Sequence, residues 1–169
     1  MNTIEAIRTR RSIRKYTSQP VGKEAITKIL RAAMSAPSAC NQQPWRFIII
    51  DKRELLDKIP DIHKDAPMCQ EANVAILICA DPSLETCPGY WVQDCAAATM
   101  NLLLAAHDLG LGAVWTGVYP RDQKVSDIRK MFGLPAHIIP FALVPIGYPN
   151  EKIAPEDRYK EDRIRYNHW

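Results

Sequence analysis

The chain has 169 residues, 47% of them hydrophobic and 24% charged, with a formal net charge of +3 at pH 7. That length suits one domain with a substantial core, and the composition excludes a disordered or fibrous chain. So mild a basic balance gives no argument for a nucleic-acid partner, and no apolar run approaches the roughly 20 residues a membrane helix needs. Met1-Asn2-Thr3-Ile4-Glu5 lacks the basic-then-apolar pattern of a secretory signal, so the expected compartment is the cytoplasm. Cys40, Cys69, Cys79, Cys87 and Cys95 are an odd number with no CxxC pair. This argues against a disulfide framework and against a zinc site, and reduced thiols fit the cytoplasm.

Asn2 followed by Glu5 has the form of a helix start, predicting a short helix through about Arg8 to Arg10. The segment Arg11–Tyr16 leaves that helix, and Pro20 sets a turn. A second helix is expected from Lys23 to Ser35, where Ile26, Ile29, Leu30 and Ala33 share one face. Pro37 ends it, because proline disfavours a helical residue before it. Trp45–Ile50 is aromatic and β-branched, hence a buried strand. A short helix over Arg53–Lys58 and an apolar strand over Val74–Ala80 follow. Tyr90–Leu109 is the longest expected helix, with Val92, Cys95, Ala96, Thr99, Leu102, Leu103 and Ala106 buried. Gly110 and Gly112 read as its C-terminal caps. Ala113–Gly117 reads as a strand, Gln123–Phe132 as a helix capped by Gly133, and Phe141–Ile146 as a last strand. The segment 148–169 is rich in charge and proline yet ends Tyr166-Asn167-His168-Trp169. A disordered tail seldom carries such aromatics, so it is expected to dock on something. The whole chain, 1–169, reads as a single domain.

Three segments carry chemistry. Arg8, Arg10, Arg11, Arg14 and Lys15 crowd around Ser12, and charges so close repel unless an anion relieves them. Guanidinium forks with a hydroxyl suit a phosphate. A solvated basic surface is the plain alternative, and a nucleic-acid arm a third that no helix-turn-helix or stacking platform supports. The segment Ala36–Trp45 combines small residues, which admit a planar ligand to the backbone, with the amides of Asn41, Gln42 and Gln43. Its plain alternative is a polar helix-to-strand loop. Gly110–Gly117 is superficially like a dinucleotide fingerprint, but Trp115 replaces the third glycine, and the segment runs from helix into strand, the reverse of the phosphate-binding order. No P-loop, HExxH or GxSxG occurs, and His63, His107, His137 and His168 show no metal spacing. Cys40, inside the second segment, has no histidine or resolving cysteine at motif spacing and reads as a packing residue.

Together, Arg10-Arg11-Ser12-Ile13-Arg14, Ala36-Pro37-Ser38, Asn41-Gln42-Gln43-Pro44-Trp45, Asp94 to Gly117, Pro145-Ile146-Gly147-Tyr148 and Arg158 to Trp169 resemble the nitroreductase family of flavoproteins. The resemblance implies an α+β fold around a mixed sheet flanked by helices. It also implies a homodimer with an exchanged C-terminal tail (148–169) and FMN bound between subunits. By position, it places Arg10, Ser12 and Arg158 around the FMN phosphate, with Arg11 among the cofactor-binding residues. Arg14 would face the pyrimidine edge of the flavin. Pro37, Ser38, Ala39 and Asn41 would come from the partner subunit, and Trp115, Thr116 and Gly117 would pass beside the ring. Some members carry a lysine where this chain has Glu156, and the long helical insertion over the substrate pocket of larger members is absent. The implied activity takes electrons from NADH or NADPH, through the flavin, to an electron-poor small molecule such as a nitroaromatic or quinone. The alternative is a non-catalytic FMN-binding protein that stores or senses the cofactor.

Overall fold

In a computed structural model that describes residues 1–169, the Asn2 side chain accepts the Glu5 N–H at 2.9 Å and opens α1 (Thr3–Thr9). The next elements are α2 (Lys23–Met34) and β1 (Trp45–Ile50). α3 (Arg53–Ile62) extends beyond Lys58 and contains Pro60, at the loss of one backbone hydrogen bond. β2 (Val74–Ala80) leads to α4 (Trp91–Asp108), whose exit is turned by Gly110 at φ +75°. Gly112 is not a cap. It begins β3 (Gly112–Ala113), so the single strand expected over Ala113–Gly117 is two short pieces, β3 and β4 (Thr116–Gly117). α5 (Asp122–Phe132) ends at left-handed Gly133, and β5 (Ile139–Gly147) outruns the expected strand at both ends.

The sheet order is β1-β2-β5-β3, with β4 also on β5. Every strand pairing is antiparallel, which corrects the expectation of a mixed sheet. The one parallel contact is an isolated bridge between Ser12 and Ala113. The reason is visible in β1 and β2, where Ile50 lies opposite Ala75 and Trp45 opposite Ala80. The connection through α3 thus stays at one end of the sheet, whereas a parallel pair needs a crossover to the other end.

Both faces of the sheet are covered. Val74, Ile76 and Ile78 of β2 pack into one core with α2 and α4, while Ala75, Leu77 and Cys79 enter a second core with α3 and α5. β2 is buried along its whole length, as a strand covered on both faces must be. Along α4, Cys95, Thr99, Leu102, Leu103 and Ala106 are buried as expected, but Val92 and Ala96 are only half-buried. No helix is long and apolar enough to cross a membrane.

The reading of the cysteines needs correction. Cys40 and Cys87 form a disulfide, their Cα atoms 6.2 Å apart and 47 residues distant in sequence. The antiparallel register produces it: the loop entering β1 and the loop leaving β2 meet at one end of the sheet, where the Asp81 N–H donates to the Pro44 carbonyl at 2.8 Å. The other three cysteines are buried and free.

After Gly147 the chain is held briefly. The Thr17 N–H donates to the Tyr148 carbonyl at 2.9 Å, and the Asn150 N–H to the Lys15 carbonyl at 2.8 Å. Beyond Glu151 every residue is exposed, Tyr166 and Trp169 almost completely. Neither Tyr166 nor Trp169 finds a docking surface on its own chain.

Candidate functional site

The basic segment is pinned by its backbone and by one buried tyrosine. The Ile13 N–H donates to the Ala113 carbonyl at 3.1 Å, tying the segment to β3. The Tyr16 hydroxyl lies 2.6 Å from the Ile13 carbonyl and 3.2 Å from that of Pro145. The Glu151 carboxylate accepts the N–H groups of Arg14 and Lys15. So anchored, the segment brings Arg10, Arg11, Ser12 and Arg14 together with Arg158 around one cavity of about 270 Å³. Nε of Arg10 is buried without a hydrogen-bond partner. Burial, and then the charges of Arg11 and Arg158, hold the Arg10 guanidinium below its ordinary pKa. Near a surface, two like charges 4 Å apart repel by about 4 kcal/mol at an effective dielectric of 20. An anion in the cavity would replace that repulsion with charge-assisted hydrogen bonds.

The five residues are not equivalent. The Arg11 guanidinium donates to the carbonyls of Arg10, Ala154 and Glu156, at 2.6, 3.0 and 3.4 Å, and thereby anchors the tail. Arg158 is mostly exposed and paired with Glu156 at 3.3 Å. Arg10 and Arg14 have no such side-chain partner. Beside them a larger hollow of about 760 Å³ opens between α1 and tail residues 155–158.

The loop between α2 and β1 is strained and tightly held. Cys40, Asn41 and Gln43 have φ of +48°, +54° and +47°, each a conformation costing of order 1–3 kcal/mol for a residue with a Cβ. The restraint comes from α4, where the buried Asp94 accepts the Ala39 N–H at 2.9 Å and Gln42 Nε2 at 2.6 Å. Gln42 Oε1 in turn accepts the N–H groups of Thr86 and Cys87, at 3.1 and 3.0 Å. Gln42 is therefore scaffold rather than a ligand-facing amide, and Asp94 is a structural support of this loop that the sequence reading missed. Its signal is periodic: Asp94 falls on the buried stripe with Ala98 and Leu102, where a carboxylate persists only if it is hydrogen-bonded. Pro37 and Asn41 are exposed, with Ser38 and Ala39 half-buried, and none of the four lines the arginine cavity.

At β4, Trp115 is partly exposed and meets Phe141 edge-on at 5.6 Å. Phe141 also contacts Trp91, which packs on Tyr119. The buried Thr116 hydroxyl donates to the Leu143 carbonyl at 2.7 Å, so only the backbone of Thr116 remains for a ligand. Gly117 is exposed, and a Cβ added there would meet nothing within 4 Å. The Ser12–Ala113 bridge sets the basic segment beside β3, the short strand that precedes β4. No group of three or more His, Cys, Asp or Glu converges in a way that could hold a metal ion.

A helix-covered antiparallel sheet with an arginine-serine cavity on one edge defines the class: the chain belongs to the Nitroreductase family, which it matches over residues 7–72 and 63–148. It is 53% identical over its full length to a Methanothermobacter thermautotrophicus protein provisionally named NADH dehydrogenase/NAD(P)H nitroreductase, covering 88% of that protein. Among solved structures it resembles the FMN-dependent nitroreductase of Clostridium difficile, with a TM-score of 0.91, 30% identity and coverage of 99% and 100% of the two chains. A provisionally named nitroreductase from Desulfovibrio desulfuricans, solved in complex with FMN, gives a TM-score of 0.85 at 31% identity, covering 100% and 99%.

Proposed function

We propose that this chain is an FMN-dependent oxidoreductase that takes electrons from NADH or NADPH and passes them to an electron-poor small molecule such as a nitroaromatic or quinone. The observation that carries the reading is the cavity shared by Arg10, Ser12, Arg14 and Arg158, in which Arg10 holds a buried, unpartnered donor. Those residues fit a phosphate monoester. Arg10, Ser12 and Arg158 would hold it, and Arg14 would set a fixed positive charge toward the pyrimidine edge of the ring. When bound, FMN supplies two-electron redox chemistry, so no side chain has to act as a nucleophile. A cation fixed where negative charge develops favours the reduced state. The backbone of Thr116 and Gly117, bordered by open space, would pass beside the ring.

The reading includes a homodimer. Within one chain, none of Pro37, Ser38, Ala39 and Asn41 lines either of these two arginine-bearing cavities, so the same loop of a second copy would complete each site. The exposed Tyr166 and Trp169 would dock on that copy. The test is spectroscopy of the purified protein followed by an acceptor screen. Yellow protein that releases FMN on denaturation and oxidises NADH or NADPH with a quinone is the expected result. Colourless protein that added FMN cannot reconstitute would refute the assignment, and bound flavin without turnover would favour a storage or sensing role.

A further inference from the structure

We propose that Cys40 and Cys87 form a reversible thiol–disulfide site that clamps the Pro37–Gln43 loop and thereby governs flavin retention; the flavin part of the proposal rests on the function proposed above. Cys40 is exposed and Cys87 half-buried, at the mouth of the β2–α4 loop. Cys40, like Asn41 and Gln43, has left-handed backbone, a conformation that persists only under external restraint. Two restraints act on it. One is the Asp94–Gln42 network reaching the Thr86 and Cys87 N–H groups, and the other is the S–S bond. The network keeps the two loops adjacent when the bond is open, so the thiols stay within reach of each other and the bond can close again.

The remaining cysteines do not compete. Cys69, Cys79 and Cys95 are almost completely buried, and burial pushes each thiol up to about 12, so none presents a thiolate at neutral pH. The chemistry balances with small reagents. A dithiol gives two electrons and two protons to the two Sγ atoms, the S–S bond breaks, and the dithiol closes to its own disulfide. In the other direction hydrogen peroxide takes two electrons, the two thiols join, and two waters leave.

The experiment uses the full-length protein in peroxide-treated form and in dithiothreitol-treated form, each desalted. Under native conditions a chromogenic disulfide should titrate no thiol in the first form and two in the second. The FMN dissociation constant, read by quenching of flavin fluorescence, should be about tenfold weaker in the dithiol form, about 1.4 kcal/mol, and restored by peroxide. Cys87→Ser should match the dithiol form and ignore both reagents. Equal dissociation constants in the two forms, or two thiols that peroxide fails to remove, would overturn the clamp. If neither form binds FMN, the flavin reading has failed on its own. Hydrogen exchange of the 36–44 segment then decides, faster exchange after reduction supporting the clamp and unchanged exchange refuting it.

Discussion

Arg14 and Arg158 face the same cavity but should respond differently to the redox state of its occupant. A phosphate carries the same charge whether a flavin is oxidised or reduced, so Arg158→Ala is expected to weaken FMN binding about equally in both states. Arg14 is assigned to the edge where charge develops only on reduction. Arg14→Ala should therefore lower the midpoint potential, by about 30 mV for a differential loss of roughly 1.4 kcal/mol. Redox titration of the two FMN-saturated variants checks this, and a shift confined to Arg158→Ala would reverse the assignment. His63 gives a second prediction at this scale. It is fully buried with neither ring nitrogen in a well-formed hydrogen bond. Burial and then the charge of Lys124 lower its pKa from 6.5, with Arg121 acting in the same direction, while Asp65 and the Thr116 backbone partly offset them. Because the folded pKa lies below the unfolded one, the unfolded chain binds more protons in between. Stability should be complete above about pH 6.5 and fall as pH drops below it, by at most about 1.4 kcal/mol per pH unit for one proton. His107, bonded to Thr9 and also lowered by burial, adds to the same window. Urea melts of His63→Phe between pH 5 and 7 should show a flatter dependence than the parent chain; identical slopes would remove His63 as the source.

At the scale of elements, most boundaries were legible because one local cause sets each. Asn2 caps α1, apolar spacing marks α2, and β-branched runs mark β1 and β2. Ala113–Gly117 misled because composition shows an apolar run but not the break at Val114 and Trp115 that divides β3 from β4. The disulfide was illegible for a different reason: its partners are brought together by strand register, which no local spacing records. The arginine cluster was readable as a sequence-adjacent group, whereas the part of Asp94 depends on a loop 55 residues away. Gly147 offers a test of how elements position the site. A Cβ there would come within 2.9 Å of the Tyr16 ring and its Cβ. Tyr16 is buried and hydrogen-bonded at its far end, so it cannot swing aside. Gly147→Ala should cost about 1–3 kcal/mol as an overpacking change. It should also displace the Ser12–Arg14 segment, so FMN affinity should fall along with the melting temperature. A stability loss with unaltered FMN affinity would separate the strand from the site.

For the molecule as a whole, the exposed tail is the feature that a single chain leaves unexplained. Tyr166 and Trp169 buried on a second copy would contribute about 1.5–3 kcal/mol each. A chain ending at Asp162 is therefore expected to sediment as a lighter species and to lose flavin on dilution. An unchanged sedimentation profile would assign the tail another role. The sheet order has a consequence of a different kind, for synthesis. β5 is the last strand made, yet it is the neighbour of β2, β3 and β4 at once. Until Ile139–Gly147 leaves the ribosome, β2 has no partner on that edge, although all seven of its residues are buried in the finished protein. An apolar strand with an open edge is a template for association with other chains. A nascent chain stalled before Ile139 should therefore be a strong chaperone client, and one extended past Gly147 a weak one.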